Sequence, residues 1–222
     1  MNLPKWGGLS ALVLAFIYVA GVAVNFTFLD MSGIVDSQAR LDFAVSHRAG
    51  LSAFVLVLYS VFAAFLVVLT TALHKSSRPQ ATSLETVATI FGWMWATLLM
   101  GSGLLYQTGL AAVVELFRTN PVEAASLLRV VETLQEGLGC TMEIPGALWI
   151  LLVSLSSLRT GRFPKTPSRI GIGVGVAGLL TIVPPLFLPA AAIYALASVV
   201  WFAWIGLDLL RNSPSDDLRP TP

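Results

Sequence analysis

Long apolar runs separated by short polar connections dominate the chain. Six of them, at roughly 8–29, 49–73, 87–110, 137–158, 169–188 and 190–210, reach the length a helix needs to cross a bilayer. Within those limits the only charged side chains are Glu143, Arg169 and Asp208, and the last two sit near span ends. The connection after the third run is not a plain loop. Asn120-Pro121-Val122-Glu123 offers an N-cap, a proline at the first helical position and an acid at the third, which predicts a helix start. A helix unbroken from Pro121 to Leu158 would be about 57 Å long, more than a bilayer needs. The pattern therefore predicts a break near Gly137-Leu138-Gly139, with 121–135 as an outer-surface helix, and a shorter counterpart from Asp36 to His47. Pro184-Pro185 and Pro189 predict a tight turn between the last two spans. The expected fold is all-α: a polytopic membrane bundle of six transmembrane helices over residues 1–210, plus a short outer-surface amphipathic helix. Residues 211–222 are expected to form a disordered cytoplasmic tail.

Composition agrees with that class. The 222 residues are 56% hydrophobic and 11% charged, against about 25% charged in a soluble domain; mean hydropathy is +0.81. Lys and Arg divide unequally between the two sides. Lys5, Lys75, Arg78, Arg159, Arg162, Lys165, Arg169, Arg211 and Arg219 fall on one, and Arg40, Arg48, Arg118 and Arg129 on the other. The positive-inside bias then places both termini in the cytoplasm. Lys5 with Ala20-Gly21-Val22-Ala23 imitates a signal peptide, but the apolar run continues to Leu29, too long for such a segment. A net charge of +1 points to no nucleic-acid partner. One cysteine excludes an internal disulfide, and no His, Cys and carboxylate set has metal-ligand spacing. No cofactor motif is present: Gly173-Val174-Gly175-Val176-Ala177-Gly178 has dinucleotide-loop spacing but lies inside an apolar span, where small residues serve helix packing.

Glu143 is the candidate site residue. An ionisable group at that depth is costly unless it faces protein, water or a ligand. Glu136, Gly139, Cys140, Glu143 and Gly146 recur at three- and four-residue steps and predict one helical face. Pro145 lacks an N–H, so the Thr141 carbonyl loses its helical partner near Glu143. A structural reading, with Glu143 pairing to a neighbouring helix, stays open beside the functional one. Arg48, Tyr106 and Gln107 are its candidate neighbours, with Asn25 also toward the outer leaflet. The tryptophans lie deep, where interfacial placement is usual. Trp95, Leu99, Ser102 and Tyr106 form one predicted stripe; Tyr194, Ala197, Trp201, Trp204 and Asp208 form another; Trp149 is near mid-span. Two readings are open: rings packed against the many glycines and alanines, or rings lining a ligand cavity.

The turn Arg159-Thr160-Gly161-Arg162-Phe163-Pro164, followed by Ser168-Arg169-Ile170-Gly171 and a Gly-rich span, resembles a set of bacterial six-helix membrane proteins known only as a domain of unknown function. The family form is Arg-Ser-Gly-x-x-Pro, with Thr here for Ser. The resemblance covers spans four and five and the rest by hydropathy. It implies six helices in a bacterial cytoplasmic membrane and carries over no catalytic residue.

The lead expectation is a membrane protein that binds a small lipophilic ligand in a cavity lined by Trp95, Tyr106, Trp149, Trp201 and Trp204, with Glu143 as polar anchor. It would act in sensing, as a carrier or in transport. The rival is a membrane-embedded enzyme on an isoprenoid or lipid, with Glu143 as general acid and aromatic faces stabilising cations. A structural subunit of a larger complex is a third reading. The expected partners are membrane lipids and the lipophilic molecule, and assembly into an oligomer is compatible with the pattern.

Overall fold

The computed structural model describes residues 2–29, 33–76, 83–140 and 144–212. Among them every regular element is helical. The α-helices are α1 (Leu3–Val24), α2 (Ser37–Ser46), α3 (Arg48–Val55), α4 (Phe62–Ser76), α5 (Ser83–Phe117), α6 (Pro121–Gln135), α7 (Ile144–Thr160), α8 (Lys165–Leu180) and α9 (Phe187–Arg211). Three π-helical turns interrupt or extend them: Asn25–Leu29 continues α1, Leu56–Val61 joins α3 to α4, and Glu136–Cys140 extends α6. Residues 213–222, most of the expected tail, lie outside the described residues.

Four helical stretches are long and apolar enough to cross a membrane: Leu3–Val24, Arg48–Ser76, Ser83–Phe117 and Pro184–Arg211. Their outer faces expose Phe16, Val19, Ile90, Leu104, Ile193 and Leu196. Water penalises such a surface and acyl chains accept it. The predicted fourth and fifth spans are met by shorter helices, α7 with 17 residues and α8 with 16, each about 25 Å long. The predicted end of span five at 188 is early in the structure, because the chain turns at Thr181–Val183 before Pro184.

Six of the helices close into a ring in chain order. α1 packs on α4, α4 on α5, α5 on α7, α7 on α8, α8 on α9, and α9 returns to α1. Glycines set the closest approaches. A Cβ on Gly8 would lie 2.8 Å from the Gly206 carbonyl oxygen, and one on Gly206 would lie 2.9 Å from that of Gly8, so α1 and α9 touch backbone to backbone. A Cβ on Gly175 would sit 2.8 Å from the Ala147 carbonyl, and one on Gly178 would strike Ala147 and Tyr194, whereas Gly173 faces open space. Two glycines of the dinucleotide-like spacing are therefore helix contacts.

α5 holds 35 residues, about 52 Å, and overshoots a hydrocarbon core of about 30 Å. Its far end turns at Arg118–Asn120, where the Asn120 side chain accepts from the Glu123 N–H and donates to Glu123 Oε2 at 3.0 Å. α6 then runs back alongside α5 and buries Ala124, Leu128 and Val131. It stands against α5 rather than away from the bundle, because that apolar face finds α5 within reach; Ser102 Oγ donates to the Gln135 carbonyl at 3.0 Å. The predicted counterpart α2, capped by Asp36, closes onto α6. Arg40 Nε lies 2.9 Å from Glu132 Oε2 and 3.1 Å from Oε1.

The α1–α9 contact yields a test. Gly206→Val should destabilise the protein by about 1–3 kcal/mol, since the backbone opposite cannot yield cheaply. Gly173→Ala should leave the thermal midpoint in detergent unchanged or slightly raised. Equal midpoints for the two variants would contradict the backbone contact.

Candidate functional site

Every helix of the ring except α8 places an aromatic ring on the bundle axis. Tyr18 of α1 meets Phe62 of α4 edge to face, with centroids 5.2 Å apart. Phe62 meets Trp95 of α5 at 5.8 Å, Trp95 meets Trp149 of α7 at 5.9 Å, and Trp149 meets Trp201 of α9 at 5.5 Å and 82°. Phe202 closes the set against Trp201 at 5.4 Å. These are the offset and edge-on arrangements that aromatic quadrupoles favour. α8 contributes a glycine instead: a side chain at Gly171 would overlap Ser154 Oγ and Trp201 Nε1. Trp95, Trp149 and Trp201 are each 1% exposed, whereas Trp204 is 38% exposed on the outer face of α9. The structure thus brings three of the four expected tryptophans together, ring on ring, and leaves Trp204 apart.

The axis also buries polar atoms. Among the described residues, Trp95 Nε1, Trp201 Nε1, Ser154 Oγ, Ser198 Oγ and Thr70 Oγ1 have no hydrogen-bond partner. An unmet donor away from water costs roughly 1–3 kcal/mol.

The half of the bundle nearer the Asn120 turn holds the other expected site residues. The Tyr106 ring is buried on α5. Gln107 Nε2 donates to the Ser52 carbonyl at 2.6 Å, tying α5 to α3. Asn25 opens the π turn after α1 and is half-buried; Arg48 is exposed at the start of α3. Glu143 lies outside the described residues, as does the Cys140 side chain. The predicted single face from Glu136 to Gly146 is not continuous. A π turn occupies Glu136–Cys140, which breaks the three- and four-residue register; Glu136 is exposed and Gly146 buried. Just beyond Glu143, a Cβ on Gly146 would lie 2.6 Å from Trp95 Cε2 and 2.7 Å from the Tyr194 hydroxyl. Trp95 and Tyr194 therefore converge on the first turn of α7. Two π turns flank this part of α5: the other packs Tyr59 and Ser60 against Gly103.

The end of the bundle at the Gly161 turn holds a cluster in which sequence reasoning saw mainly the positive-inside bias. α7 ends at Thr160, and Gly161 takes φ 69°, the left-handed conformation glycine tolerates at a helix C-terminus. That turn is fastened from within. The Phe163 N–H donates to Ser157 Oγ at 3.0 Å, and Ser168 Oγ lies 2.9 Å from the same oxygen. Phe163 is buried, and the half-buried Arg162 guanidinium lies 5.0 Å from its ring centroid. Arg162 lines a recess of about 20 Å³ with Thr70, His74, Glu85, Thr89 and Trp149, room for about one water. Burial pushes the Arg162 guanidinium below its usual pKa, and the Glu85 and Asp208 carboxylates oppose that shift. Glu85 is only 7% exposed. Thr89 Oγ1 donates to the Glu85 carbonyl at 2.8 Å and lies 3.1 Å from His74 Nδ1. Its single proton serves the carbonyl, so both contacts are satisfied together only when His74 Nδ1 carries a hydrogen.

Comparison with protein-family models, curated proteins and solved structures finds no significant match. The reading of the site therefore rests on its own chemistry.

That chemistry has two parts joined at Trp149, which both stacks on the axis and lines the recess. The axis offers donors in an apolar setting; the recess offers opposed charges. Arg162→Gln should destabilise the fold by about 3–5 kcal/mol, the range for stripping one charge from a buried ionic cluster. Adding Glu85→Gln should recover part of that loss. Strictly additive effects on the thermal midpoint would show that Glu85 and Arg162 do not interact.

Proposed function

We propose that the chain is a six-span protein of the bacterial cytoplasmic membrane, with both termini cytoplasmic, that holds a small lipophilic molecule inside its helix ring. In this reading α7 and α8 are the two shorter spans. The basic turn before α8 marks the cytoplasmic face, in keeping with the lysine and arginine bias. Glu143 is the polar anchor at the outer end of the site, and the surrounding lipids are the other partners. One observation carries the reading: indole N–H and hydroxyl groups buried on the axis without a partner among the described residues. Inside a membrane no bulk water reaches such groups, so a bound molecule with a polar atom is the chemistry that satisfies them. The convergence of Trp95 and Tyr194 on the turn that follows Glu143 supports the same placement.

Two measurements test this. Reporter fusions at residue 222 and at position 120 should report opposite sides, with the C-terminal one inside; an outside C-terminus would overturn the topology. Protein purified in mild detergent should retain a lipophilic molecule detectable by mass spectrometry. Glu143→Gln should keep the thermal midpoint of the ligand-free protein while losing that molecule. A wild-type protein free of any lipophile, at a midpoint that no added extract raises, would overturn the binding reading.

A further inference from the structure

We infer that the molecule held on the axis is a neutral lipid presenting an oxygen acceptor, of the carbonyl class, and that Trp201 and Ser154 are the groups that recognise it. The inference rests on the binding reading above and narrows it. An indole N–H donates and cannot accept, so whatever satisfies Trp201 Nε1 and Trp95 Nε1 must bring a lone pair. Neither a hydrocarbon nor an ammonium brings one. Ser154 Oγ and Ser198 Oγ can donate as well, and both are buried without a partner among the described residues.

The placement favours one corner of the axis. Trp201 Nε1 and Ser154 Oγ both come up against Gly171, where α8 carries no side chain. Ser198 lies three residues before Trp201, on the same side of α9. A single acceptor oxygen delivered to this corner of α7, α8 and α9 would meet two donors.

Charge excludes the anionic alternative. Arg162 is a described cation that shares a recess with the axial Trp149. Two carboxylates, Glu85 and Asp208, already act on it. A carboxylate or phosphate ligand there would meet a surplus of negative charge among the described groups. A cationic ligand is drawn to aromatic faces, but it brings no lone pair to the unpartnered indole N–H groups.

The test uses the full chain with ¹⁵N-labelled tryptophan in lipid nanodiscs and four twelve-carbon probes: 2-dodecanone, dodecane, dodecylammonium and dodecanoate. The indole N–H resonances read the site directly, apart from partitioning of the probes into lipid. 2-Dodecanone should move the Trp201 resonance, assigned with Trp201→Phe, and slow its deuterium exchange. The other three should not. Ser154→Ala, which keeps every ring, should weaken the ketone effect about 3- to 10-fold, the worth of one hydrogen bond. A shift produced equally by dodecane, or more strongly by dodecylammonium or dodecanoate, would overturn the carbonyl assignment while leaving a lipophile in the ring. No response of any axial indole to any probe would overturn both.

Discussion

The structure depends on filling the centre of a ring of six helices. Neighbouring helices pack about 8–10 Å apart, so in a regular six-membered ring the axis lies about that far from each helix centre. Aliphatic side chains projecting from one helix do not reach across such a space; indole and phenyl rings do. Five helices send rings to the axis, and the sixth, α8, carries glycines that let α7 and α9 close over it. The solution has a consequence. Tryptophan brings an N–H wherever it brings bulk, and a membrane interior has no water to receive it. The volume requirement and the unmet donors are two sides of one choice of residue, and the proposed site rests on both.

The two ends of the bundle relieve different constraints. At the Asn120 end α5 is longer than a bilayer needs, and its surplus is stabilised by a returning helix and by the Arg40–Glu132 pair between α2 and α6. At the Gly161 end a half-buried arginine needs opposing charge, and the turn brings it within the influence of Glu85 and Asp208. Among the described residues the axis between them is apolar apart from its donors, and charge gathers at the ends.

Much of this was legible in the chain. The stripe Trp95, Leu99, Ser102 and Tyr106 is buried throughout, because a straight α-helix keeps a three- and four-residue register. The capped helix at Asn120 and its shorter counterpart at Asp36 were legible for the same local reasons. The second stripe was only half right. At about 100° per residue, the buried positions Tyr194, Ser198, Trp201, Phe202 and Ile205 centre a face from which Trp204 lies about 100° away. The π turns left no mark: Leu56–Val61 carries neither glycine nor proline, so nothing local announces the wider turn. Arg162 was hidden by company, since the positive-inside bias already accounted for every basic residue beside it. Glu85 fell two residues short of the apolar run that would have marked it as buried.

A map of the protein in lipid nanodiscs, at a resolution that shows ordered small molecules, addresses the central claim most directly. The account predicts non-protein density within about 3 Å of Trp201 Nε1 or Trp95 Nε1, at hydrogen-bonding distance. Both indole N–H groups bonded to protein oxygens in a dry, fully packed axis would contradict it.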